Sequence, residues 1–388
     1  MILAELLNEG TLFKPKEVYK SELAKEGIDI GFSASEKSLT SALGCDTSNI
    51  KMAISSIREV MSNPRFLPED FEHAKNVVRD RLETSEKSAF DKLDAELFQG
   101  LPDGYTKKDI LTDLNTLTLD DVKALYTDIN NNGQGTITVS APFDRKTKLK
   151  QEVFNESAAF KPVKEFRVKE LLHSYKTVNE TKVLTDTDFK NQAEIVQAYK
   201  FQTNGNLKDK ATVSILNTIL GGNPSSRLFM DLREKEKLAY HVQSNYTTTD
   251  DIGIFTLKIG TTTDNKETKE QHFDNVKKSI DGFKRHIRKI MDEKVTDEEL
   301  NNAKLSFKNA LLNSTHSSDD KIQVLSKSSA TPYGTQRINL LLDEIDKVTA
   351  EDIQNAAKYI FSNKPTYSIV ATEDTLNANK KYLKSLEN

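Results

Sequence analysis

The chain of 388 residues has one cysteine, few glycines and prolines, and no apolar run long enough to cross a bilayer. A lone Cys45 excludes an intramolecular disulfide and a cysteine-based zinc site. Without about 18 consecutive apolar residues there is no candidate transmembrane helix. The opening MILAELLNEG has neither a basic region nor a small-residue cleavage site, so it does not read as a signal peptide. Charge of one sign is also scarce: the net charge is -4, and cations alternate with acids, as in KKSIDGFKRHIRKIMDEK. No basic stripe with interleaved aromatics appears, so nucleic acid is not an expected partner. The compartment stays open.

What is present is a soluble globular composition, 36% hydrophobic and 29% charged, on a chain long enough for two or three domains. The two halves repeat a pattern. Residues 66–85, FLPEDFEHAKNVVRDRLETS, align without a gap to 295–314, VTDEELNNAKLSFKNALLNS, both reading as helices opened by acids. Thr118 and Thr349 each read as a helix N-cap, with Asp121 and Asp352 completing a capping box. A strand follows each at the same distance, Thr136–Val139 in one half and Tyr367–Val370 in the other.

Alternating apolar residues over 28–34 and 39–45 predict a hairpin, and a helix face follows over 50–61. In the second half a hairpin is predicted over 240–259, then a long charged helix over 268–292. The expected fold class is α+β: two homologous domains, each an antiparallel-dominated sheet with helices packed on one face. Their expected bounds are 1–160 and 183–388, joined by a linker at 161–182. The second half opens with strand-like residues 183–202, whereas the first opens directly on a helix. That asymmetry reads as a fragment or processed half of a longer chain.

No self-sufficient catalytic motif is visible. Of the six histidines, no two lie within five residues of each other, so none forms a zinc-gripping helical pair; each reads as a surface or packing residue. The informative stretch is 221–240, GGNPSSRLFMDLREKEKLAY. Gly221-Gly222 stops one helix, Ser225 or Ser226 caps the next, and that helix turns Leu228, Phe229 and Leu232 inward, ending near Lys237. Arg233 on its last turn and Tyr240 beyond it would point into one space. A guanidinium and a phenol there would donate hydrogen bonds to a carbonyl oxygen gaining negative charge. The bland alternative is a solvated i, i+4 pair for Arg233 and a strand-core role for Tyr240.

This stretch resembles the insulinase/pitrilysin family of zinc metallopeptidases, whose catalytic motif is the inverted H-x-x-E-H. The G-G-x-x-S-S-R-L…L-R-E-K…L-A-Y signature belongs to that family's zinc-free half. The resemblance implies that Arg233 and Tyr240 bind substrate and stabilise the tetrahedral intermediate at the other half's metal. Residues 1–11, MILAELLNEGT, look like H-x-x-E-H-x-x-x-x-G-T, with Met1, Ala4 and Glu5 in the three functional columns. Asn63-Pro64 to Phe66, then Phe71-Glu72, look like the family's N-P-x-F…F-E segment. The third ligand's column falls near Asp80 or Arg81. Both histidines and the general base are therefore replaced, and zinc lacks its N, S or O ligands here. The resemblance implies no cofactor in this chain, zinc in a partner half, and an extended peptide as substrate. Two other roles fit the same residues, a structural or assembly subunit and a stand-alone peptide-binding module.

Overall fold

The reciprocal helix caps expected at Thr118 and Thr349 both form. The Thr118 hydroxyl accepts the Asp121 N–H at 3.2 Å while the Asp121 carboxylate accepts the Thr118 N–H at 2.9 Å; the Thr349 and Asp352 pair repeats this at 3.1 and 2.9 Å. Side-chain caps open four further helices, at Ser88, Asn206, Thr296 and Thr372. The computed structural model describes residues 1–35, 38–133, 135–143, 148–157, 177–188, 191–249, 251–265, 270–329 and 331–387.

The first half runs α1 (Ile2–Leu7), β1 (Gly10–Thr11), β2 (Lys14–Pro15), α2 (Lys16–Lys25), β3 (Asp29–Ala34), β4 (Leu39–Gly44), α3 (Ile50–Ser62), α4 (Pro68–Thr84), α5 (Ala89–Leu97), α6 (Lys107–Thr116), α7 (Leu119–Asn132) and α8 (Leu149–Ser157). After β5 (Lys182–Thr187) and β6 (Gln192–Gln202), the second half continues with α9 (Leu207–Leu220), a π-helix (Phe229–Lys235), β7 (His241–Thr249) and β8 (Ile252–Thr262). The short β9 (Asp264–Asn265) and β10 (Glu270–Gln271) precede α10 (Asn275–Asp292), α11 (Asp297–Asn313) and α12 (Ser318–Ser329). Last come α13 (Arg337–Lys347), α14 (Ala350–Phe361), β11 (Pro365–Ala371) and α15 (Glu373–Ser385).

The chain divides into two compact units. One comprises 1–85, 107–168 and 318–332; the other comprises 86–106, 169–317 and 333–388. Each unit thus takes in a segment that directly follows the long repeated helix of the other half: 86–106 after α4, and 318–332 after α11.

In the first unit, Leu6, Leu7, Ile30, Ala53, Val60, Val78 and Val122 share one core. The predicted hairpin forms as β3 and β4, with Ile30 opposite Leu43. Asn8 closes part of the outer edge of β3: its amide donates to Phe32 O at 2.8 Å and accepts from Phe32 N at 2.9 Å. Residues 136–139, expected as a strand, pair with nothing among the described residues and are irregular, with Ile137 exposed. Alternation alone does not make a strand, because its backbone needs a partner ladder.

The second unit is built on a five-stranded sheet in the order β5-β11-β6-β8-β7, antiparallel except for β5 against β11. One face carries Ile195, Tyr199, Phe255, Leu257, Ile259 and Ile369 against α9, α10 and α14. There the Phe361 ring meets both Tyr199 and Phe255 edge-on. The main helices lie on one face, as expected, and α5 is added on the other, over Val196, Ala198, Ile254 and Val370. Two charges of β6 grip its ends. Glu194 accepts from the Ser88 hydroxyl and the Ala89 N–H at its N-terminus, and Lys200 donates to Leu97 O at its C-terminus. An anion at the start of a helix and a cation at its end both complement its dipole.

Within that docked helix, burial beside Asp91 and Asp103 pushes the Asp94 carboxyl up to about 6. Because the folded value lies above the unfolded one, this group's favourable contribution is complete below about pH 4 and lost as the pH rises through 6. Asp94→Asn should therefore stabilise the chain by about 1–2 kcal/mol at pH 7.5, after discounting for solvent screening, and by little at pH 4. Urea denaturation at the two pH values measures the difference.

Candidate functional site

Helix α9 ends where both Gly221 and Gly222 N–H groups donate to Asn217 O, at 2.9 and 2.8 Å. The loop beyond is organised by Asn223, whose Oδ1 accepts from the Ser225 N–H and hydroxyl, each at 2.8 Å. Neither serine caps the following helix as the sequence suggested: Ser225 turns back on Asn223, and the Ser226 hydroxyl is buried without a hydrogen-bond partner. Asn223, Ser226, Glu299 and Asn302 line a cleft of about 270 Å³ beside this loop. Arg227 fixes the next turn to α11 through a two-pronged pair with Glu299, at 2.7 and 2.6 Å.

From Phe229 to Lys235 the backbone widens into a π-helix, closed by the Glu236 N–H donating five residues back to Asp231 O at 2.8 Å. Such widened turns concentrate at functional sites. Leu228 and Leu232 point into the core and are fully buried, as expected, while Phe229 is half-buried. Leu232 nests against Gly282 of α10, where a Cβ would come within 2.5 Å of its methyl carbon. Asp231 is the anchor. It accepts from His286 Nε2 at 2.8 Å and from Arg285 at 2.7 Å, and Arg285 also donates to Glu236 at 2.7 Å.

Burial would raise the Asp231 carboxyl, yet the hydrogen bonds from Arg285 and His286 hold it below the usual carboxylate range. Burial pushes His286 below the usual imidazole value, against the pull of Asp231. Reading His286 as a surface or packing histidine missed this anchoring contact. Its partner lies 55 residues away in the chain, and no local pattern links the two.

The guanidinium of Arg233 lies over the Phe229 ring, 4.5 Å from its centre, with 42% of the side chain exposed. Its closest carboxylate is the adjacent Glu234, at 3.6 Å, so it makes no i, i+4 pair. Past the π-helix, Lys237 adopts a φ of 54° and Leu238 dips back into the core. The Leu238 N–H donates to Leu232 O at 2.9 Å, and its carbonyl accepts from the Thr261 hydroxyl at 2.6 Å. Tyr240 emerges just before β7, 74% exposed, which removes the strand-core reading. Arg233 and Tyr240 thus stand at the two ends of one pinned turn. Among the described residues, no hydrogen bond or ion pair joins them.

In the first unit, Met1, Ala4 and Glu5 lie at the start of and within α1, with Ala4 buried. Of the two candidates for the third ligand's column, Arg81 donates to Glu5 at 2.6 Å. These residues do not fit a zinc ion. The methionine and alanine side chains supply no N or carboxylate donor, and the Arg81 guanidinium already takes the Glu5 carboxylate. Among the described residues no group of three or more His, Cys, Asp or Glu is placed to hold a metal.

Residues 116–307 match the family model described as the Peptidase M16 inactive domain. Over 169 residues, 44% of this chain and 38% of the relative, the chain is 32% identical to an uncharacterized zinc protease of Rickettsia felis. It is 23% identical to the non-peptidase homolog YmxG of Helicobacter pylori over 96% of this chain and 84% of that protein. A solved peptidase M16 inactive domain from Pseudomonas fluorescens shares the fold, with a TM-score of 0.75 at 18% identity, covering 96% of this chain and 88% of that one. The matches span about a third of the first curated relatives' length.

Two predictions follow from these contacts. In a double-mutant cycle, Glu5→Gln and Arg81→Met should show a coupling of about 0.5 kcal/mol at low salt, fading in 1 M NaCl, because the arginine is largely exposed. Denaturant titration of the four proteins reads it directly. For His286, the unfolded chain takes up a proton near pH 6.5 that the folded chain refuses, so this group costs stability as the pH falls below that value. His286→Gln keeps a donor to Asp231 and should flatten the fall in stability between pH 7 and pH 5. An unchanged slope in the variant would show that His286 is not the group responsible.

Proposed function

Since the chain belongs to the M16 peptidase family, as a bearer of its inactive domain, we propose that it works as the non-catalytic half of a zinc endopeptidase. In this reading it closes the chamber around an extended peptide and lends Arg233 and Tyr240 to hydrolysis at a zinc held by a partner half. The observation that carries the proposal is the pinned turn. A guanidinium and a phenol are both left exposed on a backbone tied down by Asp231, His286, Leu232 and Leu238. Donors held in place before the reaction stabilise a developing oxyanion without reorganisation. The same reading treats 1–160 and 183–388 as two homologous domains about a linker at 161–182. The paired caps and the matching positions of the exchanged segments support that duplication.

A catalytically silent scaffold is the second reading. The name of the Helicobacter relative, a non-peptidase homolog, favours it. The test combines the chain with a co-expressed zinc-bearing subunit of the same family and follows cleavage of an unstructured peptide. Cleavage should need both subunits, and Arg233→Ala or Tyr240→Phe should lower turnover about tenfold or more while the complex still forms. Normal turnover by both variants would leave the scaffold as the better account.

A further inference from the structure

The pinned turn fixes the backbone beneath Arg233, but a long side chain separates that backbone from the guanidinium. In water such a side chain samples many rotamers, and holding it in one costs conformational entropy. Among the described residues no hydrogen bond reaches the guanidinium, and its closest carboxylate, the adjacent Glu234, lies 3.6 Å away. The two side chains are 42% and 45% exposed, so solvent screens the pair and it holds little.

What lies against the guanidinium is the Phe229 ring, with its centre 4.5 Å from the guanidinium carbon. Phe229 opens the same π-helix and packs against the core of the second unit. Apolar contact therefore holds the ring, and the negative face of its π-system attracts the cation.

We propose that Phe229 positions the Arg233 guanidinium for the developing oxyanion through this cation–π contact. The proposal rests on the reading of Arg233 as a donor to a partner half's reaction. A ring suits the task better than an acid would. A carboxylate partner would take up the N–H donors and offset the charge that an oxyanion calls on. The phenyl ring leaves the N–H groups unbonded and the charge whole. A covering peptide excludes water, and the attraction between cation and ring strengthens as water leaves.

The test uses the full chain with the co-expressed zinc-bearing subunit and follows kcat and KM for an unstructured peptide. Phe229→Leu keeps apolar contact with the core and removes the π-face. It should lower kcat about fivefold and change KM less than about twofold, because the loss is felt where charge develops. Phe229→Met should behave alike, and Phe229→Tyr, which restores a π-face, should recover most of the lost turnover. Added to Arg233→Ala, Phe229→Leu should cost nothing further, since the ring acts only through the guanidinium. Normal turnover by Phe229→Leu and Phe229→Met, where Arg233→Ala is slow, overturns the positioning role and leaves the trans-catalytic reading standing. An equal fall with and without Arg233, or no recovery in Phe229→Tyr, assigns the ring a packing role alone and also overturns the proposal. Normal turnover by Arg233→Ala removes the reading itself, and the positioning role with it.

Discussion

The Asp231 carboxylate ties the candidate site to the core of the second unit. It belongs to the π-helix that carries Arg233, and its Oδ2 meets two donors of α10, a helix buried against the main sheet. Removing one partner from such a network leaves the other charge stranded, which costs more than the pair itself contributes. Leu232 under Gly282 supplies the apolar half of the same joint. Polar and apolar contacts therefore converge on one turn of chain, and the side chains at its two ends inherit that rigidity.

The Arg81–Glu5 pair tells a different story about the first unit. A metal site needs several donors deprotonated and turned to one point, a demand that the residues around Glu5 do not meet. A solvent-facing pair of one guanidinium and one carboxylate is cheap to keep and contributes little. The core beneath α1 asks only for apolar contact, which Ile2, Leu3, Ala4, Leu6 and Leu7 provide. The backbone of α1 is thus held by burial of these apolar side chains, with no metal required to place it.

Sequence reading succeeded where the cause of structure is local. Thr118 with Asp121 and Thr349 with Asp352 act within three residues, and the 3.6-residue and two-residue periods of α3 and of the β3–β4 hairpin are likewise short-range. Arg233 and Tyr240 were legible as a motif by resemblance alone. What escaped depends on partners far along the chain. Nothing near Ala89–Leu97 signals that Glu194 and Lys200 grip that helix from a strand about a hundred residues on, and nothing near Asp231 announces His286. The strand expected at 136–139 failed for the converse reason: its pattern was local, but pairing is not.

The turn between Arg233 and Tyr240 also carries a cost that its neighbours offset. Lys237 occupies the left-handed region, which costs a residue with a Cβ about 1 kcal/mol. Burial of Leu238 and its two backbone hydrogen bonds compensate, since a leucine side chain removed from water contributes about 2 kcal/mol. Tyr240 itself, three-quarters exposed, returns little to the folded state. A chain selected for stability alone gains nothing by straining Lys237 to place an aromatic ring in water. In the proposed function a bound peptide covers the ring, and a rigid backbone is then the condition for covering it in one geometry.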